Sequence, residues 1–172
     1  MFFEYYKASI YSSAGRDDYA LYYFMQCKVL SDKLPYTNPD RAMAYSGLGY
    51  VLFSMEEYKM ALRSFLKARE IREKLLGCEH VDTACCFNNL GCCMYMLDRN
   101  QESLGYFSLA NSIFDCELGP FHNRTLVSAQ NMKKAGRGYF NNVPEFPTLW
   151  ETYEEEDKGV KKSKEAPKKK KK

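Results

Sequence analysis

The chain has 172 residues, 45% of them hydrophobic and 15% aromatic, and a formal net charge of +3. That is enough for one domain with a modest core. The longest uncharged run, Thr83 to Leu97, covers 15 residues, short of the ~20 apolar residues of a membrane-crossing helix. With no basic stretch leading into an apolar one at the start, no secretory signal is expected, and the chain reads as soluble and cytoplasmic.

From the amino end, Ala8, Tyr11, Ala20, Phe24 and Cys27 form a degenerate copy of a pattern that becomes clear downstream. Nine of the first 24 residues are aromatic: Phe2, Phe3, Tyr5, Tyr6, Tyr11, Tyr19, Tyr22, Tyr23 and Phe24. Some belong to a core. The surplus predicts an apolar amino-terminal edge suited to stacking on another chain, since large open apolar patches are uncommon on monomers.

The next unit is the clearest. Tyr45, Leu48, Gly49 and Leu52 stand at i, i+3, i+4 and i+7, one stripe of a helix that starts near Asp40. Tyr58, Ala61, Leu62, Phe65, Ala68, Ile71 and Leu75 continue the rhythm on a second helix, from about Glu57 to Leu76. Gly49, Ala61 and Ala68 are the small residues over which large ones pack.

The whole arrangement recurs downstream at one constant offset and without a gap: Phe87, Leu90, Gly91, Met94, Ser103, Phe107 and Ala110 repeat Tyr45, Leu48, Gly49, Leu52, Ala61, Phe65 and Ala68. A fixed period of this size signals stacked helical hairpins. Gly77 and Gly119 suit left-handed helix ends, and Asp40 and Asp82 are candidate amino-terminal caps. Glu70 and Lys74 form an i, i+4 pair on the solvated side. Arg124 to Arg137 reads as a further first helix, with Lys133 where the glycine stood and no partner helix after it, so it caps the stack.

Three segments are therefore expected: 1–138 as a solenoid with its capping helix, 139–157 as an extended Pro, aromatic and acidic stretch, and 158–172 as a disordered Lys-rich tail. Two prolines, Pro144 and Pro147, remove backbone donors from the middle segment. Phe146, Leu149 and the lone Trp150 are expected to fold back over the last helix. The tail holds nine Lys and one Glu, a local charge of +8, leaving 16 basic and 21 acidic residues elsewhere. Such a segment cannot bury enough surface to offset its ordering entropy. It would attract acidic surfaces in a salt-dependent way.

The ordered set of aromatic, Leu-Gly, large, Ala, aromatic and Ala resembles the tetratricopeptide repeat. Ile71 to Gly91, with Leu-Leu-Gly before His80 and Asp82-Thr83-Ala84 and Asn88-Asn89-Leu90-Gly91 after it, resembles the 42-residue repeats of kinesin light chains, and Leu118, Gly119, His122 and Thr125 repeat part of it. The resemblance implies an all-α, right-handed α-solenoid of about three hairpins plus a carboxy-terminal capping helix. It also implies a noncatalytic adaptor that binds another protein or peptide on the concave face formed by the first helices.

On that face the implied groove residues are Ser46, Tyr50 and Phe53, then Asn88, Cys92 and Tyr95, then Gln130 and Lys134, with Met43, Cys85 and Val127 beside them. Asn88 is the foremost of these, because an amide both donates to and accepts from a peptide backbone. Chaperone-binding members hold a partner's carboxylate with Lys and Asn; here Ser46 and Tyr50 occupy two of those places, so a carboxylate clamp is not expected. Leu149-Trp150-Glu151 resembles the tryptophan-acidic peptides that kinesin light chain grooves bind, an alternative role for that segment.

Seven cysteines include the pairs Cys85-Cys86 and Cys92-Cys93. Residues seven apart on one helix rise about 10.5 Å, too far for thiolates to share one zinc. Structural packing of free thiols is therefore expected, with no metal and no cofactor. His80 and His122 recur at the repeat period in turns, and no nucleophile with an oriented base is apparent, so no catalysis is expected. The alternative reading is a structural component of a microtubule-based assembly, cytoskeletal or ciliary, with the lysines on acidic tubulin termini. Nucleic acid is disfavoured because the tail has neither Arg nor aromatic residues to stack on bases.

Overall fold

A computed structural model of the chain describes residues 1–141, with side chains described through residue 136. It contains seven helices and no strand among the described residues: α1 Phe2–Ser13, α2 Asp17–Ser31, α3 Pro39–Ser54, α4 Tyr58–Leu76, α5 Val81–Met96, α6 Asn100–Leu118 and α7 Asn123–Asn141. The first helices of successive hairpins start at 39, 81 and 123, the second ones at 58 and 100, so the period of the sequence is the period of the structure. The Trp150 seal and the Lys-rich tail lie outside the described residues.

Each helix packs chiefly on the one before and the one after it, with only slight contact between α1 and α3 and between α5 and α7. This is the quasi-one-dimensional order of a solenoid, in which stability comes from hairpins and the interfaces between neighbours. The expected all-α solenoid is what the chain forms.

Large-on-small packing holds each hairpin shut. Phe65 lies on Gly49 so closely that a Cβ there would sit 2.6 Å from the ring, and Phe107 lies on Gly91 with 2.7 Å. Both rings are fully buried. In the first hairpin the equivalent Phe24 leans forward instead: its ring occupies the space that a Cβ at Gly47, on the next hairpin, would need. Tyr5 meets the same ring edge-on at 5.1 Å. Ala8, Ala20 and Cys27 are buried beside it, as their register requires.

The turns repeat as strictly as the helices. Gly15, Glu56 and Asp98 all have positive φ, at 67°, 63° and 59°, and the residues after them, Arg16, Glu57 and Arg99, each donate a backbone N–H to the carbonyl five residues earlier. Between hairpins, Gly77 and Gly119 adopt φ 91°, ψ 167° and φ 90°, ψ 164°. These are positive-φ ends as expected, but in the extended region open essentially to glycine alone rather than in the left-handed helical one. Thr83 and Thr125 then donate their hydroxyls to the carbonyls of Gly77 and Gly119, both at 2.8 Å.

The caps differ from expectation. Asp40 and Asp82 are not caps; they sit inside the first turn, and the capping acceptors are Asn38 Oδ1 to the Asp40 N–H at 2.8 Å and His80 Nδ1 to the Asp82 N–H at 3.0 Å. His122 Nδ1 does the same for Arg124 N–H at 3.1 Å. The imidazole is pinned as an acceptor at Nδ1, which explains why histidine recurs at the period without any catalytic partner. Asp40 and Asp82, displaced into the first turn, instead complement the positive end of the helix dipole. The expected Glu70–Lys74 pair is present at 3.2 Å. Its solvent exposure leaves it screened by water and salt, so it adds little to stability.

Two alanine substitutions of opposite sign check this packing scheme. Gly91→Ala gains helix propensity but drives a methyl into the Phe107 ring, and a net loss of about 1–2 kcal/mol is expected. Gly105→Ala, in α6 with no atom within 4 Å of the new methyl, should gain about 0.5–1 kcal/mol. Urea unfolding of both proteins reads the difference, and equal effects would contradict the scheme.

Candidate functional site

The inner helices α3, α5 and α7 carry the expected groove positions, and the structure closes most of them. Ser46, Tyr50, Asn88, Cys92 and Tyr95 are buried, Phe53 and Lys134 are half-buried, and Gln130 alone of the eight is exposed. Helix α5 is the reason: from Thr83 to Tyr95 every residue is buried. It is the central first helix, packed against α4, α6 and α7, so its side chains face neighbours on several sides.

What these side chains do instead is tie helix to helix. The Asn89 amide donates to the Tyr50 hydroxyl at 2.9 Å, joining α5 to α3, and the Asn131 amide donates to Asn88 Oδ1 at 3.0 Å, joining α7 to α5. Buried amides of this kind are tolerated only when bonded. Asn88, nominated as the peptide-facing amide, is thus an interior strut. Asn89 and Asn131 stand one full period apart, at the place where α3 has Gly47; with the space over Gly47 filled by the Phe24 ring, α3 has no counterpart to this amide. Burial pushes the Tyr50 phenol well above its ordinary range, so the hydroxyl stays neutral.

Sequence reasoning also missed Arg72. It is 6% exposed, on the apolar stripe of α4 four residues after Ala68, where the next repeat has Phe114. One terminal nitrogen donates to Cys86 Sγ at 2.9 Å and, more weakly, to the Asp82 carbonyl at 3.4 Å. An Arg in phase with Ala61, Phe65 and Ala68 was the visible signal. Burial raises the Cys86 thiol and the Arg72 charge opposes that rise.

The remaining interior thiols are protonated for the same reason. Burial pushes Cys27 up to about 11 and Cys85 and Cys93 up to about 12, and Cys92 also rises well above its usual value. A thiol rather than a thiolate is a poor nucleophile and a poor metal ligand. Among the described residues no group of three or more His, Cys, Asp or Glu side chains is placed to hold a metal ion. Cys78 and Cys116 are the exposed cysteines. No described helix is long and apolar enough to cross a membrane.

Two measurements follow from this geometry. Asn88→Ala removes the acceptor of the Asn131 amide and should lower unfolding stability by about 1–3 kcal/mol; a variant as stable as the parent would contradict the strut. A thiol reagent at mildly alkaline pH should modify Cys78 and Cys116 at once and the five buried thiols only after denaturant is added. Rapid reaction of more than two would contradict the buried placement.

Residues 40–115 match the tetratricopeptide repeat family. No curated protein sequence matches the chain. Among solved structures, the nearly identical TPR-like repeats of a protein assigned as a kinesin light chain in Podosopora anserina superpose with a TM-score of 0.72 at 18% identity, over 79% of this chain and 65% of that one. BtubC (BKLC) from P. vanneervenii gives 0.61 at 19% identity, over 82% and 62%. The chain thus spans just under two thirds of the length of these structures. At such identities the likeness is one of fold. Residues 40–115 are thus similar to tetratricopeptide repeats, and the helices on either side continue the same stack of hairpins.

Proposed function

We propose that the chain is a noncatalytic adaptor that docks a partner protein on the inner face of α3, α5 and α7 and is tethered to an acidic surface by its Lys-rich tail. The observation that supports it most directly is the aligned stack of tetratricopeptide hairpins, whose general use is protein–protein interaction. On this reading the contact residues are Phe53, Gln130 and Lys134, at the margin of the inner face. The Tyr50–Asn89 and Asn88–Asn131 bonds hold the spacing of the helices that present them. The neutral interior thiols weigh in the same direction, because they leave the cysteine-rich α5 without a ready nucleophile.

A second reading is favoured by the kinesin light chain neighbours together with the +8 tail at 158–172. In it the solenoid is a structural piece of a microtubule-based assembly, cytoskeletal or ciliary, and the lysines contact acidic tubulin termini. Attraction of that type weakens as salt shortens the Debye length, ~10 Å at 0.1 M ionic strength.

Affinity capture and microtubule pelleting with three proteins separate the two: the full chain, the chain lacking residues 158–172, and Phe53→Ala combined with Gln130→Ala. The adaptor reading expects the double variant to bind its partner at least about tenfold more weakly, roughly 1.4 kcal/mol, while keeping the parent's helical circular dichroism spectrum, and the truncated chain to keep the partner. The microtubule reading expects pelleting to disappear on truncation and to fall with salt. Full partner binding by the double variant would move the interface off the inner face.

A further inference from the structure

We propose that the outward face of α2 is a self-association surface, on which two copies of the chain pair antiparallel about a two-fold axis. Asp18, Tyr22, Met25 and Val29, at i, i+4, i+7 and i+11, form one stripe along α2, opposite the buried stripe of Ala20, Phe24 and Cys27. Tyr22, Met25 and Val29 are 58%, 52% and 53% exposed. The alternating four and three spacing is that of a seam between paired helices.

The repeat shows that neighbouring hairpins do not cover this face. Helices α4 and α6 each have a hairpin before them, and the places in register with the α2 stripe stay open there. Lys59, Arg63, Leu66 and Glu70 on α4, and Gln101, Gly105, Ser108 and Ser112 on α6, are none of them buried. The second helix of a hairpin packs chiefly on its own first helix and on the first helix of the next hairpin. A hairpin ahead of α1 would therefore leave the outward face of α2 open as well. What changes along the stack is chemistry: apart from Leu66, α4 and α6 hold polar or small residues at these places, whereas α2 holds Tyr, Met and Val.

Charge decides the occupant. The stripe begins at Asp18 and is closed by Lys33, in the turn after α2; both are exposed, and neither has an ion pair among the described residues. Lys28 and Asp32, between them, bond each other at 2.8 Å. A stripe that is acidic at one end, basic at the other and apolar between is complementary to its own reverse. Crossing two copies antiparallel about a point between Met25 and Gln26 sets Tyr22 against the partner's Val29, Met25 against the partner's Gln26 and Asp18 against the partner's Lys33, each contact being made twice. A parallel pair would set acid on acid and base on base.

The contact is small. Two α2 helices of 15 residues, each about 22 Å long, cover on the order of 1,000 Å² between them, the low end for a specific interface. A dimer in exchange with monomer is therefore expected. The surface shares no residue with the inner face of α3, α5 and α7, so it stands or falls independently of the adaptor reading.

Sedimentation equilibrium of the full chain tests it. The mass should rise with concentration from 20.0 kDa to twice that value and stop there. Met25→Glu brings two carboxylates together beside the axis, and this protein should stay at 20.0 kDa with the parent's helical circular dichroism spectrum. Lys33→Glu should raise the dissociation constant at least about tenfold, and adding Asp18→Lys to it should bring most of the affinity back. Arg63→Glu, on the same face of α4, should change nothing. A parent protein that stays at the monomer mass or grows beyond two copies, a pair that survives Met25→Glu or is weakened by Arg63→Glu, or a charge exchange that restores nothing overturns the proposal.

Discussion

The whole solenoid depends on a ring lying against a glycine. Phe65 on Gly49 and Phe107 on Gly91 bring the two helices of a hairpin closer than a residue with a Cβ would allow. The same contact recurs in the next repeat, and like hairpins packed each on its neighbour make a solenoid rather than a globule. Phe24 shows how strict the rule is: where its own hairpin offers Ala8, the ring turns forward and finds a glycine, Gly47, in the next one.

Between the helices, the backbone solves one geometric problem repeatedly with different side chains. The tight turn takes a positive φ at Gly15, Glu56 and Asp98 alike, although only glycine does so without steric cost. The longer connection is closed by Thr83 and Thr125 hydroxyls on glycine carbonyls, and in the first unit by Arg41, whose guanidinium reaches the Leu34 carbonyl at 3.1 Å. Asn38, His80 and His122 share one capping task. What stays constant from repeat to repeat is a hydrogen bond at a given place, and several residue types supply it.

That repetition bears on function. The stack bonds its buried Asn88, Asn89 and Asn131 amides across helices and holds its interior thiols neutral by burial. On the proposed adaptor reading, the docking surface is then the margin of the inner face.

The helices, their period, the small residues at the crossings and the positive-φ glycines were all legible in the sequence, because each shows itself in spacing along one chain, within a helix turn or across one repeat. The caps were misplaced because Asn, Asp and His are chemically similar acceptors and only the local backbone shows which amide each faces. The groove was misjudged more deeply. Helical spacing puts Asn88, Cys92 and Tyr95 on one stripe of α5, but it cannot say how many other helices close over that stripe. Tertiary packing decided that: α5, flanked by α4, α6 and α7, has neighbours on several sides, and burial turned a would-be recognition amide into a strut between helices.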